Sequence, residues 1–139
     1  MDTEITDEFQ QVLDLLSVAS PPVVFVTGSA GTGKSTLIDV LRHELDKNLV
    51  VVAPTGVAAL NVQGQTIHSL FQLPPGPQPR AKRIAGAAKD VVEKMEVLVI
   101  DEVSMVRADL LDAIDDSLRL NTGRAGAPFG GKTLVLVCD

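Results

Sequence analysis

The stretch Val23-Val24-Phe25-Val26-Thr27-Gly28-Ser29-Ala30-Gly31-Thr32-Gly33-Lys34-Ser35 decides the fold. Its opening apolar residues form a short continuous run, the pattern of a buried strand in a parallel sheet. Gly28 to Ser35 then matches G-x-x-x-x-G-K-S/T, and the residues that follow predict a helix from about Gly33 to Leu45. Strand, glycine loop and helix in that order are the setting in which this pattern binds phosphate. Glycines let successive N–H groups point into one concavity, and the helix adds unpaired N-terminal donors with partial positive charge. Lys34 supplies a mobile positive charge for the β and γ phosphates of ATP, and the Ser35 hydroxyl can join a magnesium shell. Thr36 completes the ATP-binding segment.

Outward from this unit, Leu49 to Ala53 reads as a second buried strand ended by Pro54, Val97 to Ile100 as a third, and Leu134 to Val137 as a fourth. Upstream, Ile5, Phe9, Val12, Leu13 and Leu16 recur at helical spacing behind Thr6-Asp7, predicting an acidic N-terminal helix within residues 1–20 that Pro21-Pro22 stops. Residues 72–80 are proline-rich and cannot hold regular hydrogen-bonded structure, so they predict a surface loop, with Arg80, Lys82 and Arg83 as a solvated basic flank. Val106, Leu110, Leu111, Ile114 and Leu118 predict an amphipathic helix over 106–120 whose outer face carries Asp109, Asp112, Asp115 and Asp116. Asn121 to Gly131 is a glycine-rich connection. Strands separated by helical crossovers imply an α/β fold, a parallel sheet covered on both faces, in a single domain over 1–139.

A carboxylate at the end of a buried strand is costly to desolvate unless it faces a cation. Asp101-Glu102 ends the third strand, and beside a phosphate loop the two acids divide the work. Asp101 would hold magnesium, and Glu102 would orient and deprotonate the attacking water. The catalytic pair read from the residues is thus Glu102 and Lys34, with Ser35 and Asp101 as metal ligands.

A chain of 139 residues, 45% hydrophobic and 22% charged, can bury roughly two-thirds of its unfolded surface and lies outside the disordered range. No apolar run approaches the roughly 20 residues that span a bilayer, and no signal segment opens the chain, which predicts a cytoplasmic protein. The single cysteine, Cys138, has neither a disulfide partner nor metal-ligand companions. The formal net charge of −6 resides mostly in Asp2, Glu4, Asp7, Glu8 and Asp14. Nothing in the overall charge argues for nucleic acid, so any such case rests on motifs.

Those motifs are Gly28 to Ser35 with its Ala-Gly-Thr interior, Ala53-Pro54-Thr55-Gly56-Val57-Ala58-Ala59, Gly64-Gln65-Thr66-Ile67-His68-Ser69, Asp101-Glu102-Val103-Ser104-Met105 and Pro128-Phe129-Gly130-Gly131. Together they resemble the petite integration frequency DNA helicases, relatives of the RecD-like branch of helicase superfamily 1. The resemblance covers the chain from Ile5 onward, and Thr66 to Ser69 is its most specific part. It implies a P-loop NTPase of RecA-like, three-layer αβα type, with the four strands in the order 1-4-3-2. It also implies an ATP- and magnesium-dependent motor running 5′ to 3′ on single-stranded DNA, in the service of DNA repair and recombination. Pro54, Thr55, Gly56, Thr66, His68 and Ser69 would line the DNA path, and Gln10 or Gln11 would read adenine. Read without the family, Thr55 or Ser69 is a helix cap, His68 a buried and satisfied side chain, Phe71 a core residue and His43 a solvent-exposed one.

The chain departs from the family at its end. After the fourth strand the pattern continues with Gly-Asp and a sensing glutamine, whereas this sequence reads Cys138-Asp139. The expectation is a truncated first motor domain, with its partner second RecA-like domain and arginine fingers elsewhere and no strand separation by this piece alone. Two rival readings are an AAA+ loader-type ATPase, which leaves Thr66 to Ser69 unexplained, and a non-catalytic module that holds nucleotide as a structural ligand.

Overall fold

The computed structural model describes residues 7–18, 23–27 and 34–138. Its strands are β1 (Val23–Thr27), β2 (Leu49–Ala53), β3 (Gln65–Thr66), β4 (Val97–Ile100) and β5 (Thr133–Cys138). They form one sheet in the order β1-β5-β4-β2-β3, with every neighbouring pair parallel. The four strands read from sequence therefore stand in the expected order 1-4-3-2. The added β3, two residues beside β2, is too short to show any period.

Helices cover both faces: α1 (Asp7–Val18), α2 (Lys34–Glu44), α3 (Gly56–Asn61), α4 (Ile67–Phe71), α5 (Ala87–Lys94) and α6 (Ala108–Thr122), with tight 3-10 turns at Val103–Met105 and Pro128–Gly131. Side chains alternate across a strand, so a continuous apolar run feeds two cores at once. In β4, Leu98 and Ile100 pack with Ile67, Leu70, Phe71, Val92 and Ile114 from α4, α5 and α6. Val97 and Val99 pack with Leu13, Leu16, Leu37, Ile38 and Leu41 from α1 and α2. Each such side chain contributes about 1.5–3 kcal/mol by leaving water. No helix among the described residues is long and apolar enough to cross a membrane.

Several expectations need correction. β1 is a half-buried edge strand rather than a buried one: Val24 is buried, but Val23 and Phe25 are 43% and 58% exposed. Both pair in register with Leu134 and Leu136 on the α4–α6 side, where they stand outside the core. On α6, Asp112 and Asp116 face solvent, but Asp109 and Asp115 do not belong to a solvated stripe. One oxygen of Asp115 accepts from the Phe129 N–H at 2.6 Å and from Arg119 Nε at 2.9 Å, and Arg119 also donates to the Ala125 carbonyl at 2.9 Å. The helix takes Asn121 and Thr122 out of the glycine-rich connection, and the remainder tightens at Phe129, Gly130 and Gly131, all with positive φ. A Cβ at Gly130 would lie 2.6 Å from the Leu118 carbonyl oxygen, so this turn can press against α6 only as glycine.

Residues 73–84 form the proline-rich loop, closed at its base by a side chain. Leu73 and Ile84, at its two ends, are buried in the α4–α6 core. Asn121 on α6 accepts from the Ile84 N–H at 2.9 Å and donates to the Lys82 carbonyl at 3.0 Å.

Candidate functional site

All strands run parallel, so their carboxyl ends lie along one edge of the sheet, where ligands bind in open α/β folds. β1 ends at that edge with Thr27, and the edge receives Asp101 from β4, Pro54 from β2 and Ile67 from β3. β5 stands between β1 and β4, and with strands spaced near 4.8 Å those two are about 10 Å apart. Gly28, Ser29, Ala30, Gly31, Thr32 and Gly33 lie outside the described residues. Lys34 and Ser35 open α2, and Thr36, half-buried, follows them.

Asp101 and Glu102 are consecutive yet occupy different environments. The Asp101 N–H donates to the Val52 carbonyl at 2.9 Å, extending the β2–β4 ladder by one bond, and its side chain is 6% exposed. Its Oδ1 is buried without a hydrogen-bond partner among the described residues. A buried polar atom left so costs roughly 1–3 kcal/mol, more when charged, and a cation or its bound water would offset that. The residues present therefore fit a magnesium ion at this edge. Glu102 adopts the left-handed conformation, φ 55° and ψ 42°, which reverses the chain into the 103–105 turn and leaves its side chain half-buried. A non-glycine residue held there stores about 1–3 kcal/mol of strain, of the kind found at functional sites.

The second group gathers around the ends of β2 and β3. Thr55 caps α3, its Oγ1 accepting from the Ala58 N–H at 3.2 Å, and Thr66 caps α4, accepting from the Ser69 N–H at 3.1 Å. The caps are thus Thr55 and Thr66, and Ser69 is the residue being capped. A hydroxyl oxygen held as acceptor by a helix keeps its own proton to donate outward, which suits a phosphate oxygen. Gly64 makes this delivery possible: a Cβ there would strike the Val51 carbonyl oxygen, so only glycine lets the chain pass β2 and start β3. His68 is half-buried rather than buried, Phe71 is fully buried, and His43 is exposed with Nδ1 2.8 Å from the Asp39 carbonyl. Gln10 and Gln11 are both exposed on α1, and Gln10 donates to Asp14 at 2.8 Å.

A cleft of about 230 Å³ at this edge brings Pro54, Thr55 and His68 together with Met105 and Arg107, and the loop residues Gly76 and Pro79 form a further wall. Gly56, Thr66 and Ser69 do not line it. Arg107 and the loop wall escaped the sequence reading. The only signal for Arg107 was its isolation as the one basic residue between Lys94 and Arg119. Asp109 anchors this wall. Its Oδ2 accepts from the Gln78 N–H at 2.7 Å and from Arg107 Nη2 at 2.8 Å, and these bonds, Gln78 foremost, hold its carboxyl below the usual aspartate range. At the opposite edge, a larger cavity of about 430 Å³ is lined by Lys47, Arg124 and Lys132 among others, and burial, together with nearby Arg124, pulls the Lys132 ammonium down.

Comparison with known proteins places this geometry among relatives. The family model for PIF1-like helicase matches residues 1–139. The ATP-dependent DNA helicase PIF1 of Emericella nidulans is 41% identical over 131 residues, covering 84% of this chain and 17% of the relative. The human ATP-dependent DNA helicase PIF1 is 37% identical over 135 residues, covering 94% and 21%. Among solved structures, Bacteroides Pif1 in complex with ADP-AlF3 and single-stranded DNA superposes with a TM-score of 0.88 at 42% identity, covering 99% of this chain and 33% of that one. A Pif1 structure describing DNA unwinding at forked double-stranded DNA reaches a TM-score of 0.91 at 42% identity, covering 99% and 34%. The chain thus spans about a third of these structures and about a fifth of the curated relatives.

Proposed function

The chain belongs to the PIF1-like helicase family, and from that premise we infer that it is the nucleotide-binding motor domain of an ATP-dependent DNA helicase. The whole protein would hydrolyse ATP to move 5′ to 3′ along single-stranded DNA, with a second RecA-like domain as its partner. Relatives named as ATP-dependent DNA helicases, and one solved with ADP-AlF3 and single-stranded DNA, support the reading. The observation that carries it is the buried Oδ1 of Asp101, unpartnered among the described residues, at the sheet edge where β1 also ends.

Gly28 to Ser35, with Thr36, would cradle the phosphates of ATP on backbone N–H groups, and Lys34 would set its charge against the β and γ phosphates. Asp101 and Ser35 would hold magnesium, which when bound neutralises phosphate charge. Glu102 would accept the proton of the attacking water. Pro54, Thr55, Gly56, Thr66, His68 and Ser69 would face the DNA strand, the capped hydroxyls of Thr55 and Thr66 donating to its phosphates.

With no Trp or Tyr in the chain, titration calorimetry is the direct test. Removing Lys34 should weaken ATP-magnesium binding about 10- to 100-fold, the loss of a charged hydrogen bond worth about 1.5–3 kcal/mol. Asp101→Ala should abolish the magnesium-dependent part of the affinity. Lys34→Ala binding as tightly as the parent would overturn the phosphate-loop assignment.

A further inference from the structure

The cleft between Thr55, His68 and the proline-rich loop has one permanently charged cation on its wall, Arg107. The chain carries a formal net charge of −6, so at long range it repels a polyanion, and a phosphodiester strand must be held by cations placed locally. Arg107 meets that need geometrically. Its side chain is 66% exposed, and among the described residues that side chain makes one hydrogen bond, the 2.8 Å contact from Nη2 to Asp109 Oδ2. A guanidinium has five N–H donors in a rigid fork. One bond to a carboxylate fixes the plane and leaves the remaining donors free, the arrangement suited to a phosphate.

Asp109 does more than pair with this arginine. The oxygen that receives Nη2 also receives the Gln78 N–H at 2.7 Å, across 31 residues of sequence. The orientation of Arg107 and the docking of the loop wall therefore share one atom. We propose that Arg107 grips a phosphate of the single strand in this cleft, and that Asp109 is a positioning residue setting Arg107 and the 73–84 loop together. The proposal rests on the reading of this edge as the DNA path.

The test is binding of fluorescein-labelled oligo(dT) of 20 nucleotides to the 139-residue chain, followed by anisotropy between 50 and 200 mM salt. Each phosphate contact to a single strand contributes about 0.7 to the slope of log K against log salt. Arg107→Gln should lower the magnitude of that slope by about 0.7, so the parent's advantage shrinks roughly threefold across the range. Arg107→Lys, which keeps the charge, should restore the slope. For Asp109, the readout that a merely structural role would not move is coupling: Arg107→Gln should weaken binding less in an Asp109→Ala background than in the parent. Equal effects in both backgrounds would remove the positioning role, and an unchanged slope in Arg107→Gln would overturn the phosphate contact. Failure of the parent itself to bind oligo(dT) would overturn the DNA-path reading beneath both. Far-UV circular dichroism of each variant confirms that the fold is retained.

Discussion

The side chain of Gln72 pairs with the backbone of Ala85 in both directions, donating to its carbonyl at 2.8 Å and accepting from its N–H at 3.0 Å. An amide side chain thus stands in for a strand's backbone and closes the base of the proline-rich loop. Gln72 does so from a left-handed conformation, φ 54°, at the carboxyl end of α4. Gln72→Ala loses both bonds and should destabilise the chain by about 1–3 kcal/mol in urea unfolding. Gln72→Gly loses the same bonds but relieves the backbone, so it should be the milder variant. Hydrogen exchange at Ala85 should accelerate in both. Unchanged exchange there would mean that the loop is held by its buried ends alone.

Gly64→Ala tests the passage into β3. The added Cβ meets the Val51 carbonyl, which is ladder backbone and cannot swing aside. The variant should lose about 1–3 kcal/mol, the usual cost of overpacking, and should loosen Thr66 and the α4 cap that it forms. The readouts are the urea midpoint and the exchange rate of the Ser69 amide, and a midpoint equal to the parent's would refute the close contact.

Acidification tests Asp109. The Gln78 N–H and the Arg107 guanidinium keep its carboxyl below the ordinary 3.8. A folded-state value beneath the unfolded one means that the contribution is complete above the unfolded pKa and is lost as pH falls through the folded one. The Gln78 amide resonance should therefore titrate with a midpoint below 3.8. A midpoint at or above 4 would contradict the bonded geometry, and Asp109→Asn should remove the titration altogether.

Asp115 holds the turn before β5, taking the Phe129 N–H and Arg119 on one oxygen. Phe129 sits at φ 52°, a conformation that needs outside support. Asp115→Ala should cost about 2–3 kcal/mol in denaturant midpoint because two charge-assisted bonds go at once. Arg119→Ala should cost less, since the Phe129 bond survives.

Hydrolysis by the 139-residue chain alone should run at background rates even though Lys34, Ser35, Asp101 and Glu102 are present. Phosphoryl transfer is accelerated by positioned charge, and an arginine finger is worth about 10³ to 10⁵ in rate. Arg119 is committed to Asp115 and the Ala125 carbonyl, Arg107 lines the cleft beside Thr55 and His68, and Arg124 lines the cavity at the opposite edge of the sheet. Single-turnover hydrolysis with saturating single-stranded DNA measures this. Robust DNA-stimulated turnover would show that the chain completes its own site.

What the sequence determined by itself was local or motif-borne. The continuous runs at Val97 to Ile100 and Leu134 to Val137 announce strands buried on both faces, because that signal fits within a few residues. The resemblance supplied the sheet order, which the strand pairing bears out. Short elements stayed illegible: α3 and α4, at six and five residues, complete too few turns to display a period, and β3 has only two residues. Tertiary structure alone decided the rest. The exposure of Phe25 depends on how far the α4–α6 layer reaches, not on its apolar neighbours in sequence. The cleft exists because Asp109 reaches Gln78 across 31 residues and Asn121 reaches Ile84 across 37, contacts that form only once the sheet has brought α6 beneath the loop. Periodicity and turn chemistry report what a residue does to its near neighbours. Which distant carboxylate will meet which amide is settled by packing, after the loop-closure entropy has been overcome.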